Sequence, residues 1–105
     1  MQVRKNRWSK VYESTEEELV QLLAHKHIEA TRWAAGDSEA VADRHYAEDT
    51  RLWCAEGQLT CTIAGRAYSL QPGDVLSVPA GAVCGVRVGF GGCACYESVV
   101  RERAL

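Results

Sequence analysis

The chain has 105 residues, a formal net charge of -2 and a pI near 5.9; 47% of its residues are hydrophobic and 25% are charged. These values are typical of one soluble globular domain and exclude a fibrous repeat or an extensively disordered chain. Because nucleic-acid-binding domains usually carry a strongly basic patch, we expect no nucleic-acid partner.

The sequence also lacks the patterns of membrane insertion and secretion. The longest uncharged run, residues 75–86, contains Pro79, Gly81 and Gly85, whereas a membrane-spanning helix needs about 20 consecutive apolar residues. The opening residues, MQVRKNRW, do not form the apolar segment of a secretory signal. Five cysteines without a CxxC pair indicate reduced thiols. We therefore expect a cytoplasmic protein with no membrane partner.

One amphipathic helix is predicted near the start of the chain. Either Ser14 with Glu17 or Thr15 with Glu18 forms a capping box. The apolar stripe that follows consists of Leu19, Leu22 and Leu23. Basic residues suited to the negative helix end come next, at His25, Lys26 and His27. We expect the helix to span about residues 15–25, so that residues 1–27 form an N-terminal strand or arm plus this helix.

Short strands separated by turns are predicted after the helix. The segment QLTCTI alternates, with Leu59, Cys61 and Ile63 on one face, and Val86 and Val88 alternate with a polar residue in the same way. Turn signals stand at Gly57, Ala64-Gly65, Pro72-Gly73-Asp74, Pro79-Ala80-Gly81 and Gly91-Gly92. Residues 28–100 offer room for eight strands of about 5 to 6 residues. An antiparallel barrel over 28–100 is the prediction, with 101–105 as a C-terminal tail.

The order and spacing of these turns resemble the cupin superfamily, the small single-domain barrels of the RmlC-like type. The elements that carry the resemblance, which covers about residues 28–98, are Glu56-Gly57, Gly65, Pro72-Gly73-Asp74 and Pro79-x-Gly81. The resemblance implies an all-β, cupin-like antiparallel jelly-roll β-barrel with one N-terminal α-helix. It also implies a homodimer, in which we expect the arm VRKNRWSKVYES to pair as an edge strand across a two-fold axis.

The second motif of metal-binding cupins has the form G(x)5PxG(x)2H(x)3N. In this chain it begins at Gly73 and continues through Pro79 and Gly81, but Cys84 occupies the histidine slot and Val88 the asparagine slot. The resemblance therefore places Cys84 where a metal-binding imidazole is expected.

The first motif, of the form G(x)5HxH(x)3-4E(x)6G, is less complete. Counting forward from Gly36 places the two histidine slots at Ala42 and Arg44, and counting back from the final glycine places the carboxylate slot at Thr50. One inserted residue would instead put Asp43 and His45 in the histidine slots. Neither register gives two histidines and a glutamate.

A metal site can still be assembled from the residues near these slots. Asp43, His45 and Asp49 share parity, so an uninterrupted strand would direct them to one face. With the Cys84 thiolate they could bind zinc or another divalent transition metal, and the sulfur ligand would favour zinc over manganese. One hypothesis is therefore a metalloenzyme of the hydrolase, isomerase or dioxygenase type with His45, Asp49 and Cys84 as ligands.

The incomplete motifs favour a different hypothesis, a protein that binds a small molecule in its barrel with no metal or other cofactor. Its specific ligand cannot be derived from the sequence. The residues expected to line the pocket are His45, Asp49, Arg51, Trp53 and Cys84. Arg51, Trp53 and Arg87 could line a pocket for a small anionic or aromatic ligand. They could equally stabilise the outer sheet by cross-strand contacts.

The sequence leaves other roles for these residues open, including whether the protein is an enzyme. Metal-free sugar epimerases of this superfamily use a histidine base and a tyrosine acid, roles that His45 with Tyr46 or Tyr68 could fill, but the other motifs of those larger enzymes are absent from this chain. Cys84 would act as a nucleophile only if the fold brought His45 beside it. Otherwise each cysteine is expected to fill the core, because free cysteine is among the most buried residue types.

Overall fold

A computed structural model describes residues 1–11 and 14–101; Tyr12 and Glu13 of the arm, and residues 102–105 of the predicted tail, lie outside the described residues. The described chain forms one helix and seven strands. In chain order these are β1 (Arg4–Arg7), α1 (Glu16–His25), β2 (Thr31–Ala35), β3 (Arg44–His45), β4 (Thr50–Ile63), β5 (Arg66–Leu70), β6 (Asp74–Val78) and β7 (Val83–Val99).

Two long strands, β4 and β7, organise the barrel. They pair antiparallel from Thr50 opposite Val99 to Thr62 opposite Gly85. The first half of β4 and the second half of β7 belong to a first sheet with the strand order β1-β6-β4-β7-β2. Their other halves form a second sheet, in which β5 pairs with β4 and β3 pairs with β7. The predicted antiparallel barrel with one N-terminal helix is confirmed.

Residues 28–100 contain six strands rather than the expected eight, because β4 and β7 bend instead of ending. The register between them shifts at Cys54/Glu56 and at Gly57/Leu59. Gly57 has a φ of 71°, and a side chain there would collide with the carbonyl group of Gly92. The turn signals at Gly57 and at Gly91-Gly92 therefore mark a bend within the two strands, where a β-bulge increases the local twist.

The bulge also changes which residues of β4 face the core. Leu52 and Cys54 are buried in the barrel interior before it, and Leu59, Cys61 and Ile63 are buried there after it. The last three are the residues that the alternating pattern predicted to share a face. Because the bulge adds an odd number of residues, the core-facing positions pass from even to odd numbers.

Helix α1 covers the outer face of the first sheet. It begins after Thr15, whose Oγ1 accepts a hydrogen bond of 3.2 Å from the backbone N–H of Glu18, the second of the two predicted capping boxes. Leu19 and Leu23 are buried against this sheet, and each buried leucine contributes about 1.5 to 3 kcal/mol. Within the described residues, no helix combines the length and the apolar character that crossing a membrane requires.

The N-terminal arm is part of the barrel. β1 pairs with β6 from Arg4 opposite Ser77 to Arg7 opposite Asp74, and the Trp8 indole N–H donates a hydrogen bond of 3.0 Å to the Cys54 carbonyl. The predicted boundary at residue 27 therefore separates β1 from β6, although the structure pairs these two strands in one sheet.

Candidate functional site

The structure does not bring together the side chains expected to form a metal site. His45 is exposed at the end of β3. Asp49 lies in the loop before β4, where its Oδ1 accepts a hydrogen bond of 2.8 Å from the backbone N–H of Ala80. Because β3 ends at His45, the uninterrupted strand that would align Asp43, His45 and Asp49 does not form. The Asp49 carboxylate instead holds the turn that follows β6.

Arg51 and Trp53 lie outside the barrel. They alternate with the core-facing Leu52, so their side chains point to the face that α1 covers. Trp53 is buried there beneath the helix, and its Nε1 donates a hydrogen bond of 2.9 Å to the Ser98 hydroxyl. Of the five predicted pocket residues, Cys84 is the one whose side chain faces the barrel interior.

Cys84 lies in the second sheet, at the part of β7 that pairs with β3. It is fully buried, and its partner across the strand pair is Arg44. A contact with Cys61 lowers the pKa of Cys84; burial and the Glu97 charge oppose this shift, and the Arg44 charge adds to it. The candidate site is Cys84 together with Arg44, Tyr46 and Glu97, at the β3 side of the barrel.

The central feature of the site is an ion pair between strands of the two sheets. Arg44 donates from Nε to Glu97 Oε2 at 3.0 Å and from Nη2 to Glu97 Oε1. Tyr46 donates from its hydroxyl to the same Oε2 at 2.5 Å. The Glu97 side chain is 15% exposed and that of Arg44 is 33% exposed. Bidentate pairs of this kind are strong and geometrically specific, so the three side chains hold one another in place.

Trp33 of β2 forms the surface on which the ion pair rests. The Arg44 guanidinium carbon lies 4.9 Å from the centroid of the indole ring, within the range of a cation–π contact. The buried Trp33 Nε1 has no hydrogen-bond partner among the described residues. A buried donor without a partner is uncommon in folded proteins. The Trp33 N–H is therefore an uncompensated donor beside the ion pair.

Burial and neighbouring side chains keep two groups of the site protonated. It raises the pKa of Tyr46, and the hydrogen bond to Glu97 raises that pKa further. The adjacent Cys84 thiol, followed by burial, raises the pKa of Cys61. Both groups remain protonated at neutral pH. Tyr46 is consequently a hydrogen-bond donor to Glu97, and Cys61 is a small core side chain.

Four residues of this site, Trp33, Arg44, Tyr46 and Glu97, were not among the predicted pocket residues. For Arg44 a signal existed, because it occupies the second histidine slot when the first motif is counted from Gly36 without an insertion. For Glu97 the signal was the alternation of Cys93 and Cys95, which continues to the same face of β7. No comparable sequence pattern pointed to Trp33.

The residues of the site do not fit the metal that the cupin motifs imply. An arginine side chain has five N–H donors and no acceptor, so Arg44 cannot replace a histidine ligand. Both oxygens of Glu97 already accept hydrogen bonds. In the part of the chain that the structure describes, no three His, Cys, Asp or Glu side chains lie together as a metal site requires.

Comparison with known proteins identifies the fold. No family model matches the sequence, and no curated protein matches it. Several solved structures do. A DUF861 family protein from Thermotoga maritima aligns with a TM-score of 0.64 at 20% identity, over 94% of this chain and 100% of that chain. A cupin superfamily protein from Desulfitobacterium hafniense aligns with a TM-score of 0.62 at 20% identity, over 96% and 79%.

A third similar structure is an enzyme. Acireductone dioxygenase from Bacillus anthracis, which holds a cadmium ion in its active centre, aligns with a TM-score of 0.57 at 16% identity, over 95% of this chain and 79% of that chain. At these identities the similarity shows the fold but not the activity. This chain has the cupin-type jelly-roll fold of the RmlC-like kind.

Proposed function

We propose that this protein binds a small molecule at the β3 side of its barrel, beside Arg44 and Trp33, and does so without a metal ion. The observation that carries the proposal is the Arg44–Glu97–Tyr46 network, which fixes charged and polar groups in the interior of a barrel of a fold whose mouth commonly holds ligands. Polar groups held rigidly in a largely apolar surrounding are typical of such sites.

The free hydrogen-bonding groups of the site suggest what the ligand must present. Glu97 accepts from Arg44 and from Tyr46, so its carboxylate is committed. Arg44 donates to it through Nε and Nη2, and its Nη1 takes part in no hydrogen bond with the described residues. The Trp33 Nε1 also has no acceptor there. Two uncommitted donors favour a ligand with acceptor oxygens, such as a carbonyl compound.

The test is nitrogen-15 NMR of the labelled protein titrated with small carbonyl compounds such as acetamide, urea and pyruvate. The Trp33 indole resonance, assigned with Trp33→Phe, reports the site directly. We expect at least one compound to shift this resonance and the Arg44 and Tyr46 amides. Glu97→Gln should abolish the shift, whereas Glu17→Gln, on the exposed face of α1, should leave it unchanged. Shifts confined to other parts of the chain would contradict the proposal.

The alternative, a metalloenzyme with His45, Asp49 and Cys84 as ligands, is less well supported. It would require the exposed His45 side chain to turn inward and the Asp49 carboxylate to leave the Ala80 N–H. No described contact favours that rearrangement.

We also propose a homodimer in the cytoplasm. β1 is the outermost strand of the first sheet, paired with β6 on one side, and an open edge is a natural place for a second copy to pair. The five cysteines are free and buried, which suits a reducing compartment. Light scattering of the intact chain at micromolar concentration should give the mass of a dimer, and a monomer would contradict the proposal. Deleting residues 1–13 is a poorer test, because it also removes the β1–β6 pairing.

A further inference from the structure

A row of three side chains crosses the first sheet from β1 to β4. Ser77 of β6 pairs with Arg4 of β1 on one side and with Arg51 of β4 on the other. Residues that lie directly opposite each other in an antiparallel pair have their side chains on the same face of the sheet. The strand register therefore fixes the order Arg4, Ser77, Arg51 and places all three side chains on one face.

This face is the outer face of the barrel, beside the part that α1 covers. Val75, two residues before Ser77, and Trp53, two residues after Arg51, are both buried in the cluster that packs against α1. Because successive side chains of a strand alternate between faces, Ser77 and Arg51 point outward as well. Arg4 is exposed, and Ser77 and Arg51 are partly exposed. Solvent therefore reaches the whole row.

Ser77 is short, and it leaves a depression between two long cationic side chains. Neighbouring strands lie about 4.8 Å apart, so the Cα atoms of Arg4 and Arg51 are separated by about 10 Å, with Ser77 midway. A depression of about 330 Å³ lies at this row, and its lining includes both arginines, Ser77 and Asn6 of β1. This volume is within the range of about 300 to 1,000 Å³ that small-molecule sites occupy. The two arginine side chains are long enough to reach over Ser77 to one bound group.

The charges of the two arginines are not compensated. Across the described chain, neither Arg4 nor Arg51 forms an ion pair or a side-chain hydrogen bond. The acid that comes just before Arg51 in the sequence, Asp49, accepts from the backbone N–H of Ala80 instead. Like charges that share one face of a sheet repel each other. An anion between the two arginines would therefore be favourable.

We propose that this row binds a phosphate group, with one guanidinium on each side and the Ser77 hydroxyl beneath it. A guanidinium presents a fork of N–H donors that matches the oxygens of a phosphate. A dianion also suits two cations better than a carboxylate does. The free ion and the phosphate monoester of a small organic molecule present the same group. The site lies outside the barrel and does not depend on the network at Arg44.

Inorganic phosphate is the first probe, followed by nitrogen-15 NMR on the intact chain at about pH 8, where phosphate is a dianion. Chloride keeps the ionic strength constant. We expect a dissociation constant on the order of 5 mM and saturable shifts of the Arg4, Ser77 and Arg51 amides. Acetate, with one charge, should bind at least about threefold more weakly. Glycerol phosphate distinguishes the two sources: tighter binding identifies an organic phosphate as the ligand, and equal or weaker binding identifies the free ion.

Matched variants locate the phosphate. Arg4→Gln and Arg51→Gln should each weaken phosphate binding by about threefold to tenfold, as expected for a lost charged hydrogen bond. Arg51→Lys keeps the charge but lacks the fork, so it should weaken binding less than Arg51→Gln does. Lys5→Gln removes the same charge from the neighbouring position of β1, whose side chain points to the opposite face, and should change binding by less than about twofold.

Three results would overturn the proposal: no saturable shifts up to about 50 mM phosphate, tenfold above the expected constant; acetate binding as tight as phosphate binding; and equal weakening by Lys5→Gln and Arg4→Gln. Shifts at the Trp33 indole instead of this row would also remove the site, and would leave the proposed function in place.

Discussion

Arg44 and Cys84 are cross-strand partners. Cys84 occupies the histidine slot of the second cupin motif, and Arg44 occupies a histidine slot of the first when that motif is counted from Gly36 without an insertion. Cys84 retains a side chain that could bind metal, but Arg44 brings a positive charge and no acceptor atom. The charge is balanced by Glu97, which approaches from the opposite sheet. At this point of the barrel, an internal ion pair connects the two sheets.

Glu97→Gln should destabilise the protein by about 1 to 3 kcal/mol, because it leaves the guanidinium of Arg44 half-buried without its counter-charge. The free energy of unfolding in urea measures the effect. Glu17→Gln, on the exposed face of α1, is the matched control and should change stability by no more than about 0.5 kcal/mol. Equal effects of the two variants would show that the ion pair contributes little.

Because of Tyr46, the stability of the folded protein should decrease at alkaline pH. Its pKa in the folded protein is raised above the ordinary value of 10.0 by burial, then by Glu97. The unfolded chain therefore loses the Tyr46 proton first, and stability should fall as pH rises above about 10. Below that pH the contribution is fully present. Urea unfolding between about pH 8 and pH 11 should show a shallower decline for Tyr46→Phe than for the wild type. Identical slopes would contradict this assignment.

The sequence was more informative about which single residues are buried than about which residues become neighbours in the fold. Alternation correctly assigned Leu59, Cys61 and Ile63 to the core because they lie in a long, regular strand. It could not orient residues 43–49, because β3 is only two residues long and the following loop has no fixed period. Arg44 therefore faces the interior where Asp43 and His45 were expected.

The helix and strands of the fold were largely predictable, but the points at which the long strands end were not. The capping box and the leucine stripe fixed α1 to within one residue of its observed bounds, since both signals are local. Whether Gly57 ends a strand or bends it depends on Gly92, which is distant in sequence and packs against it. The expectation of eight short strands was wrong for that reason.

Gly57→Ala should destabilise the protein by more than about 2 kcal/mol, because a positive φ is unfavourable for alanine and the new methyl group would collide with the Gly92 carbonyl. Gly65→Ala is the matched control. Gly65 has a similar φ of 79°, but nothing lies within 4 Å of the added atom, so the cost should be only about 1 kcal/mol. Thermal or urea unfolding of the two variants measures the difference, and equal costs would show that the bend tolerates a side chain.

On the scale of the whole molecule, the proposed binding region lies at one side of a cupin-type barrel. The Arg44–Glu97–Tyr46 network lies between β3 and the first sheet. The sequence predicted the barrel because its turns are encoded locally. The network depends on which strands become neighbours, which one sequence does not specify.

We infer that the Arg44–Glu97 ion pair replaces the metal ion of metal-binding cupins, and a calorimetric zinc titration tests this inference most directly. Wild type purified without a nickel column should bind no zinc with a dissociation constant below about 1 μM. Cys84→His should not restore binding, because His45 is exposed and Asp49 is committed to Ala80. Cys84→Ala should cost about 1 to 2 kcal/mol of stability and leave zinc binding unchanged. Stoichiometric zinc binding by the wild type that Cys84→Ala abolishes would contradict the account.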